Sequence, residues 1–138
     1  LSLDYPETVE AVLVRKTARV RSRLIVSLDE VEEGDLGGGW PRQAICSDIS
    51  LHGARIEASD LLGEVDERLF MTARMKVGEV DQLLLTRCKI RNLEDLEDPY
   101  TGDFRIIHGV EFTDLDEETH LTLTGFVYQQ MLKEQGAL

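Results

Sequence analysis

The sequence predicts a mainly β protein: a six-stranded antiparallel β-barrel followed by a C-terminal α-helix. Three observations predict it. Most of the chain alternates apolar and polar residues with the period of two that half-buried strands require. The connections are short and rich in Gly, Pro and acids. Beyond residue 113 the period changes once, to three and four. Six strands joined by short turns favour a barrel, because closure removes exposed strand edges.

The elements follow in order. In residues 19–28, Val20, Ser22, Leu24, Val26 and Leu28 share one face, and Arg19, Arg21, Arg23 and Ile25 the other. Residues 29–42 form a connection with five acids, Gly37-Gly38-Gly39 and Pro41, a composition that disfavours regular structure. Trp40 within it serves either to anchor the loop or to mark a partner site. Residues 43–49 read as a second strand and 53–58 as a third, with Ala54, Ile56 and Ala58 opposed to Arg55 and Glu57. Residues 68–77 and 80–91 form a hairpin turning at Gly78-Glu79. An acidic loop from 94 to 103 precedes the last strand, in which Phe104, Ile106, His108, Val110 and Phe112 share a face. Thr113 to Asp116 offers a cap, and Asp116, Glu117 and Glu118 place negative charge at the positive end of a helix dipole. Leu123, Phe126, Val127, Gln130 and Met131 then define an amphipathic helix over 115–134, with Gly136 as its stop.

Composition narrows the class. The chain has 138 residues, 42% hydrophobic and 30% charged, which suits one soluble domain with its own core. No apolar run approaches the ~20 residues of a membrane span, and no signal peptide is visible. Cys46 and Cys88 are too few for a disulfide framework. Both fall in strand segments, so buried, reduced thiols and a cytoplasmic location are expected. The chain begins with Leu1 rather than Met, and a fragment of something longer is expected. His52, His108 and His120 have no metal-ligand spacing with each other or with the cysteines; His108, between apolar neighbours, reads as a core histidine. With no nucleophile elbow, phosphate loop or dinucleotide fingerprint, nothing supports an enzyme.

Charge gives the sharper signal. The chain carries 15 Lys and Arg against 27 Asp and Glu, a net −12. Five of the cations (Arg15, Lys16, Arg19, Arg21 and Arg23) fall within nine positions that contain no acid. A compact basic island on an acidic chain suits a compact anion. Duplex DNA demands a broad basic face, and an acidic membrane surface would be repelled by the rest of the molecule. Arg15 and Arg19 make an R-x-x-x-R element. Asp48, Ser50 and Gly53 make a D-x-S-x-x-G element at the end of the second strand. Arginine supplies a planar, permanently charged fork for phosphate or for a guanine edge. Asp48 and Ser50 suit either ligand contact or a turn that caps its own amides. Gly53 is expected to allow positive φ and close backbone approach.

In this order and spacing, the two elements resemble those of PilZ domains, bacterial receptors for cyclic di-GMP. Gly53-Ala54-Arg55-Ile56 looks like the family's third strand, and Gly109 to Leu115 like its passage from the last strand into the C-terminal helix. The resemblance implies a PilZ-like split barrel over 15–138. Residues 1–14 resemble the interdomain connector of two-domain flagellar-brake proteins of the YcgR type, with the upstream domain missing. It implies cyclic di-GMP as ligand, held by Arg15, Arg19, Asp48, Ser50 and Gly53, with Lys16 and Arg55 as further candidates. No metal or other cofactor is implied. Implied partners are the upstream domain and flagellar motor or other effector proteins; neither DNA nor a membrane span is expected. The alternative is a PilZ-like adaptor for pilus or exopolysaccharide control that acts through protein contacts without the nucleotide. The long acidic 29–42 loop and His52, where a small residue is usual, depart from the family pattern but touch no signature position.

Overall fold

The structure, a computed structural model, describes residues 19–32 and 39–136. The expected connector over 1–14, Arg15 and Lys16 lie outside the described residues.

Six strands form one antiparallel sheet: β1 (Val20–Glu30), β2 (Arg42–Ile49), β3 (Gly53–Ala58), β4 (Arg68–Val77), β5 (Val80–Glu97) and β6 (Phe104–Phe112). Their order is β1-β2-β3-β6-β5-β4, and pairing of β1 with β4 closes the barrel. The alternation in β1 builds the core as expected: Val20, Val26 and Leu28 point inward, while Arg19, Arg21, Arg23 and Ile25 are exposed. Ile49, Ile56, Leu69, Met71, Met75, Leu84 and Ile90 complete the interior from the other strands. Burial of this kind contributes roughly 1.5–3 kcal/mol per large aliphatic side chain.

Helix α1 (Glu117–Glu134) packs on β1, β4 and β5 and buries Leu123, Phe126 and Val127. It begins two residues later than the pattern suggests. Asp116 stays extended as the cap and accepts a 2.7 Å hydrogen bond from the Thr119 amide, which lowers the carboxyl's pKa. Side-chain amides then tie the helix to strand ends. Gln129 accepts from the Gly78 amide and donates to the Lys76 carbonyl, and Gln130 donates to the Arg21 carbonyl.

Two expectations about the last hairpin are corrected. β5 does not stop at 91 but runs to Glu97, paired with β6 from Asn92–Gly109 to Glu97–Phe104, so the acidic loop shrinks to 98–103. The carboxylates of this stretch are exposed and cost the ladder nothing in desolvation. Phe104, expected to face inward, is half exposed at the hairpin's end. The 29–42 connection is shorter than expected at its start, because β1 continues to Glu30. Trp40 anchors it: the ring packs on the core and the Arg42 guanidinium lies 4.7 Å from its centre.

Cys46 and Cys88 are free and buried, and burial pushes their thiols up to about 11 and about 12 respectively. His108 is the core histidine its neighbours imply. Its Nε2 accepts from the Leu62 amide at 3.0 Å, and Nδ1 lies 3.3 Å from the Ile56 carbonyl. This pairing requires the neutral, Nδ1-protonated ring. Burial depresses the His108 pKa below the ordinary value. The unfolded chain, whose histidine titrates near pH ~6.5, takes up a proton first as the pH falls. Stability from His108 is therefore complete above about pH 6.5 and is lost below it, with a slope of at most about 1.4 kcal/mol per pH unit. Urea unfolding at stepped pH between about 7.5 and 5.5 should show this decline, and His108→Leu, though less stable, should show a flatter one.

Candidate functional site

The site is built where the end of β2 turns into β3. A register shift between Cys46 and Asp48 interrupts the β2–β3 ladder, and such a bulge re-aims the following side chain. Asp48 comes next, two residues before the turn. Across the sheet, Arg19 precedes β1 and directs Nη1 to Asp48 Oδ1 at 2.7 Å. Arg19 is 55% exposed and Asp48 25%, so water screens the pair and its net contribution to stability is below about 1 kcal/mol.

Ser50 is buried and its hydroxyl is fully engaged. Ser50 Oγ accepts from the amides of His52 and Gly53, both at 3.2 Å, and donates to the Gly53 carbonyl at 3.3 Å. The Ser50 amide donates to the same carbonyl at 2.8 Å, and the Phe112 amide binds the His52 carbonyl at 2.7 Å. The turn is thereby locked to itself and to β6.

Gly53 corrects one expectation and meets another. It is not among the residues with positive φ. Close approach is its reason: a Cβ there would lie 2.0 Å from the Val110 carbonyl oxygen, a distance no side chain tolerates. Gly109 follows similar logic, since a Cβ there would lie 2.4 Å from Asn92 Oδ1.

Two adjoining hollows, 190 Å³ and 260 Å³, open on this corner and share Arg19, Asn92 and Gly109. The larger holds Asp48 and Arg55; the smaller holds His52, Gly53 and Arg91. Each guanidinium is matched to a carboxylate: Arg19 to Asp48, Arg55 to Glu94 at 3.5 Å, and Arg91 to Glu111 through Nε at 2.7 Å. All three arginines are about half exposed, so an incoming anion can replace the carboxylates at little cost. Two other hollows, 350 Å³ and 470 Å³, flank Arg105, but carboxylates outnumber that one cation in both. They are unsuited to an anion. Among the described residues, no group of three or more His, Cys, Asp or Glu is placed to hold a metal ion, and no helix is long and apolar enough to cross a membrane.

Of the residues singled out in the sequence, the structure brings Arg19, Asp48, Ser50, Gly53 and Arg55 to one corner. Arg21 and Arg23 are exposed on β1, and Arg23 lines a different hollow. Arg91, Asn92 and Glu94 were not singled out. They reach the corner through the β5–β6 pairing, for which local spacing carries no signal; only the glycine at 109 hints at a close approach there.

A sequence profile of the PilZ domain matches residues 13–129. The chain belongs to the PilZ domain family.

No curated protein sequence matches it. Among solved structures, this PilZ domain is similar to the inhibitor of motility MotI of Bacillus subtilis. The TM-score is 0.69 at 17% identity, over 88% of this chain and 53% of MotI. It is also similar to the PilZ domain of YcgR from Escherichia coli, solved with c-di-GMP, with a TM-score of 0.64 at 8% identity over 88% and 95% of the two chains. The PlzA protein of Borreliella burgdorferi, in complex with c-di-GMP, aligns with a TM-score of 0.54 at 8% identity, over 94% and 55%. The chain thus spans about half the length of MotI and of PlzA. At these identities the likeness is one of fold.

The geometry separates two kinds of residue in the PilZ corner. Ser50→Ala leaves the amides of His52 and Gly53 without their acceptor and should cost about 1–3 kcal/mol. Asp48→Asn loses a screened pair and should cost less than about 1 kcal/mol. Gly53→Ala meets backbone and should cost about 3 kcal/mol or more. Thermal unfolding of the three variants beside the parent checks the ranking; an Asp48→Asn loss equal to that of Ser50→Ala would contradict it.

Proposed function

We propose that this PilZ domain is a receptor for cyclic di-GMP and works as a regulatory module rather than a catalyst. The observation that carries the reading is the 2.7 Å contact of Arg19 with Asp48, the second arginine of R-x-x-x-R against the aspartate of D-x-S-x-x-G. Each group suits a different part of the ligand. Arg19 leaves the carboxylate for a phosphate or the O6/N7 edge of guanine, where its fork makes paired bonds. Asp48, released, accepts from the N1 and N2 donors of a guanine. Ser50 and Gly53 hold the turn that presents Asp48. Arg55 lines the same hollow and adds a guanidinium that stacks on a purine or meets the second phosphate. Arg15 and Lys16 complete the grip from the segment preceding Arg19.

Charge-assisted contacts of this kind contribute roughly 1.5–3 kcal/mol each. Four or five of them, less the cost of ordering the chain, give about −8 kcal/mol, near micromolar affinity. The R-x-x-x-R element precedes β1, so a ligand that bridges it to the Asp48 turn can orient whatever lies upstream, a population shift driven by the added contacts. In a two-domain protein of the YcgR type acting in the cytoplasm, that reorientation is the output, and the flagellar motor is the partner the resemblance favours. The solved relatives include an inhibitor of motility, which supports the same direction.

Calorimetry with cyclic di-GMP tests the reading. The parent should give saturable heat, and Arg19→Ala should abolish it or weaken binding at least about tenfold. GTP and cyclic di-AMP should compete poorly if guanine as well as charge is read. A folded parent that gives no binding heat would overturn the proposal in favour of an adaptor that works through protein contacts alone.

A further inference from the structure

A second feature of the barrel lies outside the nucleotide corner. Four aliphatic side chains stand exposed on β1, β2 and β5: Ile25 (68%), Leu83 (56%), Leu85 (48%) and Ile45 (37%). Register makes them one surface. Ile25 pairs with Ile45 across β1–β2, and Arg74 pairs with Leu83 and Thr72 with Leu85 across β4–β5. Val26 pairs with Ala73, which sets Ile25 beside Arg74. The resulting row runs Ile45, Ile25, Arg74, Leu83 across four strands. Over it lies a hollow of 580 Å³ lined by Arg23, Ile25, Thr72, Arg74 and Leu83 among others, roomier than either hollow at the nucleotide corner.

Two cations stand in this face. Arg19, Arg55, Arg87, Arg91 and Arg105 all meet carboxylates. Arg74 within the row and Arg23 beside it line the same hollow and, like several other cations of the barrel, meet no carboxylate among the described residues. An exposed β-sheet face normally carries scattered polar groups; two aliphatic pairs set on either side of a guanidinium mark an interaction surface.

We infer that this face docks a segment of a different protein in which aliphatic side chains surround a carboxylate. The aliphatic groups cover Ile25 and Ile45 on one side and Leu83 and Leu85 on the other. The carboxylate enters between them and takes the guanidinium of Arg74, with Arg23 beside it. Desolvated by the flanking side chains, that pair gains strength it would lack in open water. A second copy of this chain fits poorly, because two-fold pairing through the face would bring the Arg23 and Arg74 guanidiniums of both copies together. An anionic bilayer is disfavoured by the net −12 of the whole. Arg19 immediately precedes β1, and Ile25 lies six residues further on, roughly 20 Å along an extended strand. Nucleotide and protein segment therefore occupy separate places.

The test uses the full chain as bait for random peptides displayed on phage, with counter-selection on Arg74→Glu. Enriched peptides should carry Asp or Glu flanked by aliphatic residues. Synthetic copies should shift the amide signals of residues 23–27, 72–74 and 83–85. They should bind Arg74→Glu and Ile25→Asp at least about tenfold more weakly, with both variants keeping the parent's circular dichroism. Leu83→Ser replaces Ile25→Asp if that variant does not fold. The inference is overturned by no enrichment, by peptides lacking an acid, or by equal binding to the variants. It is also overturned if sedimentation shows the parent pairing with itself in a dimer that Ile25→Asp dissociates.

Discussion

The approach of Gly53 to the Val110 carbonyl is the constraint on which the candidate site rests. A Cβ at 53 would fall 2.0 Å from that oxygen, so β3 can press against β6 at this point only because the side chain is missing. With the strands that close, the Phe112 amide reaches the His52 carbonyl, and the Ser50 hydroxyl gathers the amides of 52 and 53. A turn held from three directions has one conformation, and Asp48 is therefore delivered to one place. Gly109, one strand away, leaves room for the Asn92 amide at the wall common to both hollows, a softer constraint because that neighbour is a side chain. The absent side chain at 53 shapes the corner as much as the arginines do.

Electrostatics at the corner follow a different economy from the turn. Ser50 is buried and every hydrogen-bonding capacity of its hydroxyl is used, so its removal is felt by the fold. Arg19, Arg55 and Arg91 stand half in water beside carboxylates, and such pairs are nearly neutral in stability. The arrangement holds the arginines in place while leaving them able to change partners.

Much of this was legible in the sequence because strand alternation speaks directly of barrel interiors. Val20, Val26 and Leu28 declared the inner face of β1; His108 declared itself a core residue by its neighbours; and the period change after 113 marked α1, with its cap at Asp116 and only its start misplaced, by two residues. What failed to show were matters of pairing across the sheet. β5 extends to Glu97 because β6 is there to receive it, although Glu94, Asp95 and Glu97 read as loop residues by composition. Arg91 and Asn92 join the site for the same reason. The glycine at 53 was correctly suspected of close approach but not for its φ, since only the three-dimensional position of Val110 distinguishes the two. Of the R-x-x-x-R element, Arg19 lies against Asp48, and Arg15 falls outside the described residues.

A crystal structure of this chain grown with cyclic di-GMP would interrogate the central exchange of partners atom by atom. The account predicts Arg19 withdrawn from Asp48 and bonded to a phosphate or guanine edge, with Asp48 accepting from a guanine and the Ser50 turn unchanged. A nucleotide seated elsewhere on the barrel, with the Arg19–Asp48 contact intact, would contradict it.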